Sequence, residues 1–489
     1  MTRTAGKSLR VLLDGIATVE QDDCAVHTLT LDSRRVTPGC LFIALPGLQH
    51  DGRAFIAEAA ARGAAAVLYD ARDFAPPAVS VPAIGVVDLG RHVSAIADRF
   101  YDSPSRQLVV IGVTGTNGKT TCTQLLAQSL DRPPRRCAVI GTLGYGFPGA
   151  LDAGLHTTPD AVTLQRLLAQ FVSARAAYAA MEVSSHALEQ DRASAVAFHT
   201  AVFTNLTRDH LDYHGDMERY AAAKMRLFLG RDLRAAVINQ DDDYGRRLIA
   251  MLLERRVPVV TYGLSAGDVH ARALTCTREG LRLRAGTPQG EVSIEAPLFG
   301  SFNAANLLAT LATLLALGLD RQDAARRLSG VRPVPGRVER FKGADDRPLV
   351  VVDYAHTPDA LEQVLAALRP HVSGRLWCVF GCGGNRDRGK RPEMGAIAER
   401  LADAVILTDD NPRHESGDAI IRDIAAGMRQ PARVIRDRRA AIAAAIAEAA
   451  ADDVVLLAGK GHEDYQEIAG VRHPYSDRDT VRRFLGLVA

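Results

Sequence analysis

The stretch Leu108-Val-Val-Ile-Gly112-Val-Thr-Gly115-Thr-Asn-Gly118-Lys119-Thr120-Thr121 decides the fold. Its first residues are an apolar run of the kind buried on both faces of a parallel sheet. The glycines let the backbone curl so that successive N–H groups face one anion, and the helix predicted over 121–130 aims its positive dipole end there. Lys119 adds a point charge, and Thr120 supplies an oxygen suited to Mg²⁺. A strict Walker A motif needs glycine at position 113, where this chain has Val113; its first glycine, Gly112, lies one residue earlier. The turn therefore binds phosphate without being that of a generic Walker ATPase.

Outward from the turn, strands and helices alternate. Strands are predicted at 138–141, 179–183, 200–204, 235–239 and 258–262, with helices at 164–174 and 217–229 between them. That rhythm implies a wound parallel sheet with ligands at the carboxyl ends of its strands. Residues 271–296 are expected to form a β-hairpin and 303–317 a closing helix. Upstream, strands at 28–31, 40–44 and 65–68 and a helix at 54–61 make a small α/β unit ending at the turn-rich Asp102-Ser-Pro-Ser105. Downstream, the Pro/Gly-rich 331–337 is a linker, after which strands recur at 349–353, 376–380, 404–408, 432–435 and 454–458. The fold class is α/β with three domains, 1–104, 105–335 and 336–489; the middle one is a P-loop-type wound sheet and the last a Rossmann-like sheet.

Composition narrows the function classes. Lys plus Arg number 59 against 57 Asp plus Glu, so no global field draws nucleic acid or an anionic membrane. Seven scattered cysteines fit reduced thiols better than a disulfide framework. No run approaches the roughly 20 apolar residues of a membrane span, and the first residues lack a signal-peptide core. A cytoplasmic monomer is expected.

Several polar residues fall at predicted strand ends. Glu182 is either a Mg²⁺ ligand beside a nucleotide or a structural carboxylate. The loop Asn205-Leu-Thr-Arg-Asp209-His210-Leu-Asp212-Tyr-His214 suggests metal and phosphate work, although spacing does not say which residue binds what. Lys224, inside a predicted helix, is by itself an ordinary helix lysine. In the last domain, Asp353, the cationic run 381–391, Asp410-Asn411-Pro412-Arg413 and Gly459-Lys-Gly-His-Glu463 follow four strands, so their loops leave one sheet edge and can converge on one ligand.

The ordered series Thr30-Leu-Asp-Ser-Arg34, Gly112–Thr121, Glu182–His186, Asn205–Lys224, Phe302–Asn306, Gly336-Arg337, Asp353–His356, Asp410–Arg413 and Gly459–Tyr465 resembles the Mur ligase family over essentially the whole chain. The resemblance implies an ATP-dependent, ADP-forming ligase of peptidoglycan synthesis that joins an amino acid to a UDP-muramoyl-peptide through an acyl phosphate. It makes 1–104 the UDP-binding domain, 105–335 the ATP-binding domain and 336–489 the amino-acid-binding domain. Lys119, Lys224 and His210 are implied to be catalytic, Lys224 as a carbamate. Gly115, Thr116, Asn117, Gly118, Lys119, Thr120, Thr121, Asn306, Arg337 and Asp353 are implied to hold ATP, and Thr120, Glu182, His210 and Lys224 to hold Mg²⁺. Leu31, Ser33 and the 47–52 loop take the uridine end, while Thr157, Thr158, Ser184, Gln190 and Arg192 take the muramoyl-peptide. Departures occur at His156, Leu48 and His50.

For the amino acid, Arg413 at the end of its box resembles members that add meso-2,6-diaminopimelate to UDP-N-acetylmuramoyl-L-alanyl-D-glutamate. A guanidinium grips the distal carboxylate that lysine lacks, with Arg386 nearby and Glu463 and Gly459 toward the distal ammonium. Lysine would leave a buried guanidinium unpaired, at roughly 3 to 5 kcal/mol. Folylpolyglutamate synthases share the glycine turn, but a folate site gives no reason for the boxes at 31–34 and 410–413.

Overall fold

The computed structural model describes residues 6–487 other than 21, 48, 49, 155, 231 and 278, and of Asp212 the backbone alone. Leu48, expected in the uridine loop, therefore lies outside the described residues. Two compact units divide the chain, Met1–Thr261 and Tyr262–Ala489.

Among its described residues the first unit contains two larger sheets, besides a two-stranded pairing of Lys7–Ser8 with Ala25–Val26. Thr28–Thr30, Cys40–Ala44, Ala66–Asp70 and Ala83–Val86 form a four-stranded parallel sheet in chain order. Every residue of Cys40–Ala44 is buried, because apolar clusters cover both faces. The second sheet is centred on Val109–Thr114, which lies between Ala176–Glu182 and Phe198–Phe203; Arg136–Gly141 and Ala235–Asn239 extend it outward. Those five strands are parallel, so the loops after 114, 182 and 203 leave the same edge beside one another. Gly144–Phe147 and Ala150–Asp152 add an antiparallel edge that the sequence pattern did not reveal. The two sheets are tied together by Ala161 and Val162, which pack in the N-terminal core, and by Ser94 and Ser105, whose hydroxyls accept from Ala195 N and Ala197 N.

The second unit opens with Val269–Cys276, Leu281–Thr287 and Gly290–Ala296, an antiparallel meander. The region expected to be a hairpin thus has three strands, because Gly280 and Gly290, both at positive φ, each reverse the chain. After the helices Ser301–Ala316 and Arg321–Ser329 comes a six-stranded sheet in the order Glu339–Lys342, Leu349–Asp353, Val454–Ala458, Leu376–Phe380, Ala404–Leu407, Arg433–Val434. All but its first strand are parallel, so the loops after 353, 380, 407 and 458 leave one edge, as expected. Among the described residues no helix is long and apolar enough to cross a membrane.

One ion pair is wholly enclosed in this unit. Arg438 donates to both carboxylate oxygens of Asp477, at 2.8 and 2.7 Å, and to Ala458 O at 2.9 Å, with neither side chain exposed. It joins the helices Arg438–Glu448 and Asp477–Leu485 to the end of a central strand. Asp477→Ala leaves a buried guanidinium uncompensated and is expected to cost about 3–5 kcal/mol, read as a lower urea midpoint. Lys342→Ala, which removes the exposed pair with Asp345, is expected to leave the midpoint in place.

Candidate active site

Gly115, at φ +145°, starts the turn, and Gly118, at φ +85°, caps the helix Lys119–Leu130. A Cβ on Gly115 would lie 1.9 Å from Thr204 Oγ1, so only glycine allows this approach. The loop after Phe198–Phe203 braces the turn: Thr204 Oγ1 donates to Asn117 O at 2.6 Å, Asn117 N to Asn205 Oδ1 at 2.9 Å, and Thr116 N to Asn205 O at 2.8 Å. Lys119 Nζ folds back onto Gly115 O and Thr116 O, both at 2.8 Å.

Lys224 reaches the same turn from the helix Met217–Met225. Its Nζ donates to Gly115 O at 2.8 Å and lies 4.4 Å from the ring centroid of Tyr220, one helical turn earlier. The side chain is buried, and burial, followed by the charge of Lys119, holds its amine well below the usual lysine range. It is no ordinary helix lysine.

Glu182 ends the strand beside the turn and is 2% exposed. Its Oε2 accepts from Thr120 Oγ1 at 3.0 Å and Thr142 Oγ1 at 3.1 Å, and its Oε1 from Thr142 N at 2.8 Å. A Cβ on Gly141 would meet Oε1 at 2.3 Å. The expected peptide-binding residues gather around this carboxylate. Thr157 hydrogen-bonds Thr142 at 3.0 Å, and Thr158 Oγ1 donates to Glu182 O at 2.8 Å and accepts from Ser184 N. Arg192 donates to Thr158 O and to Gln190 Oε1, and Gln190 to Tyr213 OH. The His156 carbonyl accepts from Tyr145 OH at 2.5 Å.

His210, at φ +54°, belongs to a ring cluster, its centroid 4.9 Å from His186 and 6.1 Å from Tyr220. His214 lies 5.4 Å from His186 and hydrogen-bonds Ser185. Tyr220 OH hydrogen-bonds Thr116 Oγ1 at 3.2 Å, which links this cluster to the turn. Among the described residues no three His, Cys, Asp or Glu side chains enclose a metal. Hard oxygens at Thr120 and Glu182 fit Mg²⁺, an ion that keeps several waters and substrate phosphates in its shell. In the N-terminal sheet region, Ser33 is buried, Leu31 flanks the core and His50 is exposed.

The second unit gathers the residues expected at the amino-acid site on its sheet edge. Arg413, at φ +51°, donates from NH1 to Gly384 O at 2.9 Å, and its Nε lies 3.4 Å from Glu467 Oε2. A Cβ on Gly383 would meet Arg413 NH1 at 2.8 Å and Arg386 Cγ at 3.7 Å, so the two arginines flank one glycine. Asn411 Nδ2 donates to Glu463 Oε2 at 2.9 Å. Gly459, at φ +116°, leaves room for Asp410, whose Oδ2 would lie 2.3 Å from a Cβ there, and Pro412 O comes within 2.0 Å of a Cβ on Gly384. Asp353 accepts from Val338 N and Ala355 N, both at 2.8 Å; burial pushes its carboxyl up. Arg337 lies 4.8 Å over the Tyr354 ring, and buried Asn306 donates to Asn303 Oδ1 at 3.1 Å.

Comparison with known proteins supplies the family. Three family models match in order: the Mur ligase family catalytic domain over 25–101, the Mur ligase middle domain over 113–314 and the Mur ligase glutamate ligase domain over 336–461. A UDP-N-acetylmuramoyl-L-alanyl-D-glutamate–2,6-diaminopimelate ligase of Pseudomonas aeruginosa is 55% identical, covering 95% of this chain and 96% of its own. The chain belongs to the Mur ligase family. A relative of the same name from Alkalilimnicola ehrlichii is 50% identical over 98% of both chains. A solved structure of that name is 38% identical with a TM-score of 0.74, covering 98% of this chain and 99% of its own.

Sequence reasoning missed Tyr220, Thr142 and Gly141, which touch the residues of this candidate site. Tyr220 was within reach, since it precedes Lys224 by four residues and must share its helix face. Gly115→Ala combines a clash with a backbone strain of about 1–3 kcal/mol and is expected to weaken ADP binding about 10- to 100-fold by calorimetry. Wild-type affinity would mean that the turn tolerates a side chain.

Proposed function

We propose that the protein is a cytoplasmic ligase that uses ATP to add meso-2,6-diaminopimelate to UDP-N-acetylmuramoyl-L-alanyl-D-glutamate, releasing ADP and phosphate. The observation that carries the reading is the loop cluster of the second unit, where Asn411 links the Arg413 box to Glu463. A guanidinium and a carboxylate held in one cluster suit an amino acid bearing both a distal carboxylate and a distal ammonium. The names of the full-length relatives support the same substrate pair.

In the first step a carboxylate oxygen of the D-glutamyl residue attacks the γ-phosphorus, the bond to the β-phosphate oxygen breaks, and ADP leaves. The amine of diaminopimelate then attacks the acyl carbon, phosphate departs with the carboxyl-derived oxygen, and the nitrogen loses a proton. The backbone N–H groups of Gly115–Thr121 and the Lys119 ammonium hold the triphosphate, and Thr157, Thr158, Ser184, Gln190 and Arg192 hold the peptide near Glu182. Asn306, Arg337 and Asp353 carry the nucleotide role that family resemblance implies. Mg²⁺, held by Thr120 and Glu182 with His210 and a carbamylated Lys224, would neutralise phosphate charge.

Carbamate formation needs a neutral amine: R–NH₂ plus CO₂ gives R–NH–COO⁻ and a proton. The lowered pKa of Lys224 supports this, because burial and the neighbouring Lys119 both favour the uncharged amine. Lys224→Ala is expected to lose most activity and to recover part of it with a short added carboxylic acid; full activity without rescue would overturn the carbamate.

ADP release is expected only with the UDP-muramoyl-dipeptide and diaminopimelate both present. With lysine, kcat/KM is expected to fall at least about tenfold, and Arg413→Ala to erase that preference. Equal rates for the two amino acids in the wild type would sink the assignment of Arg413.

A further inference from the structure

Lys460 is among the largest fully enclosed side chains of the protein, with 0% side-chain exposure. An ammonium has three N–H donors, and each of these has an acceptor: Tyr465 O at 2.8 Å, Asn411 Oδ1 at 2.9 Å and Glu463 Oε2 at 3.3 Å. Asn411 is held from both ends of its amide. Its Oδ1 also accepts from Glu467 N at 2.9 Å, while its Nδ2 donates to the same Glu463 Oε2 at 2.9 Å. Glu463 Oε2 is thereby doubly bonded, and Oε1 has no hydrogen-bond partner among the described residues. Asp410 Oδ1 lies 3.9 Å from the ammonium. With every donor used internally, Lys460 has none to offer a ligand.

We propose that Lys460 is a positioning residue for the amino-acid site: it fixes Asn411 and Glu463 together and leaves Glu463 Oε1 as the oxygen that receives the substrate's distal ammonium. The inference rests on the ligase reading above and assigns no contact between Lys460 and substrate. The groups that face Glu463 are Lys460, Asp410, Tyr354 and Tyr465. Burial raises the pKa of this carboxyl, Lys460 lowers it and Asp410 raises it further. Taking away the cation therefore moves the carboxyl toward its neutral form, and loss of amino-acid binding begins at a higher pH as the solution is acidified.

The test is steady-state kinetics of the full-length Lys460→Met and Lys460→Arg proteins with each substrate varied in turn. For Lys460→Met, KM for diaminopimelate is expected to rise at least tenfold, with KM for ATP and for the UDP-muramoyl-dipeptide within twofold of wild type. The acidic limb of kcat/KM for diaminopimelate is expected to move to higher pH. Lys460→Arg keeps the charge but not the three-acceptor geometry, so the limb should return while KM stays raised; this variant carries the test if the Met protein is insoluble. A parallel rise in all three KM values, an unmoved limb in the Met protein, or a wild-type KM for diaminopimelate in either variant would overturn the proposal. A wild-type enzyme that ignores diaminopimelate would instead overturn the ligase reading.

Discussion

One carbonyl oxygen organises the first unit. Gly115 O accepts from both Lys119 and Lys224 at 2.8 Å, so two side chains from different helices converge on a single atom of the phosphate-binding turn. The turn can present that carbonyl only because Gly115 adopts a positive φ with Thr204 pressed against its α-carbon. Two ammonium groups that share one acceptor repel each other, and burial makes Lys224 the one that yields its charge. The brace by Thr204 and Asn205, the glycine and the lowered lysine are thus one arrangement. Disturbing any of them alters the electrostatics of the other two.

The second unit handles buried charge differently. There the cations are matched: Arg438 with Asp477, Arg391 with Glu415 and Asp423, and Lys460 with Glu463. Four loops leave one edge of a parallel sheet, and their backbone groups have no strand to pair with. Side chains satisfy them instead. Asp353 takes two backbone N–H groups, Asn411 takes Glu467 N, and Glu415 takes Asn385 N. Buried ions of this kind add little net stability, but removing one partner is costly, which makes them good devices for holding loops in one conformation.

Much of this was legible in the sequence, for identifiable reasons. The central strands are apolar runs ending in polar residues, so both their positions and the edge their loops leave could be read directly. The edge strands 144–147 and 150–152 and the hairpin 465–474 were not visible, since they are short, glycine-broken or exposed and carry no clear period. The burial of Lys224 and Lys460 is a tertiary fact. Nothing within a few residues of either distinguishes it from a solvated lysine, and only family resemblance singled out Lys224. Thr157, Thr158, Ser184, Gln190 and Arg192 were named together by family resemblance alone, whereas Thr142, which supplies two of the three hydrogen bonds that hold the Glu182 carboxylate, has no motif of its own.

The geometry also bears on the proposal that Arg413 selects the amino acid. A bare buried guanidinium would exact the full cost of an unpaired ion from any substrate lacking a distal carboxylate. Arg413 is not bare: Gly384 O and Glu467 already occupy part of its donor fork. The penalty for lysine is therefore smaller than the 3 to 5 kcal/mol of a fully broken buried pair. On the proposed assignment, discrimination would depend on the donors of Arg413 that remain and on Glu463, whose Oε2 is already engaged by Lys460 and Asn411. A site with its charges paired in advance exchanges some selectivity for a fixed shape, because its ions need not be desolvated and aligned when the substrate arrives. Selectivity at such a site comes from the geometry of the donors left over rather than from the sum of its charges.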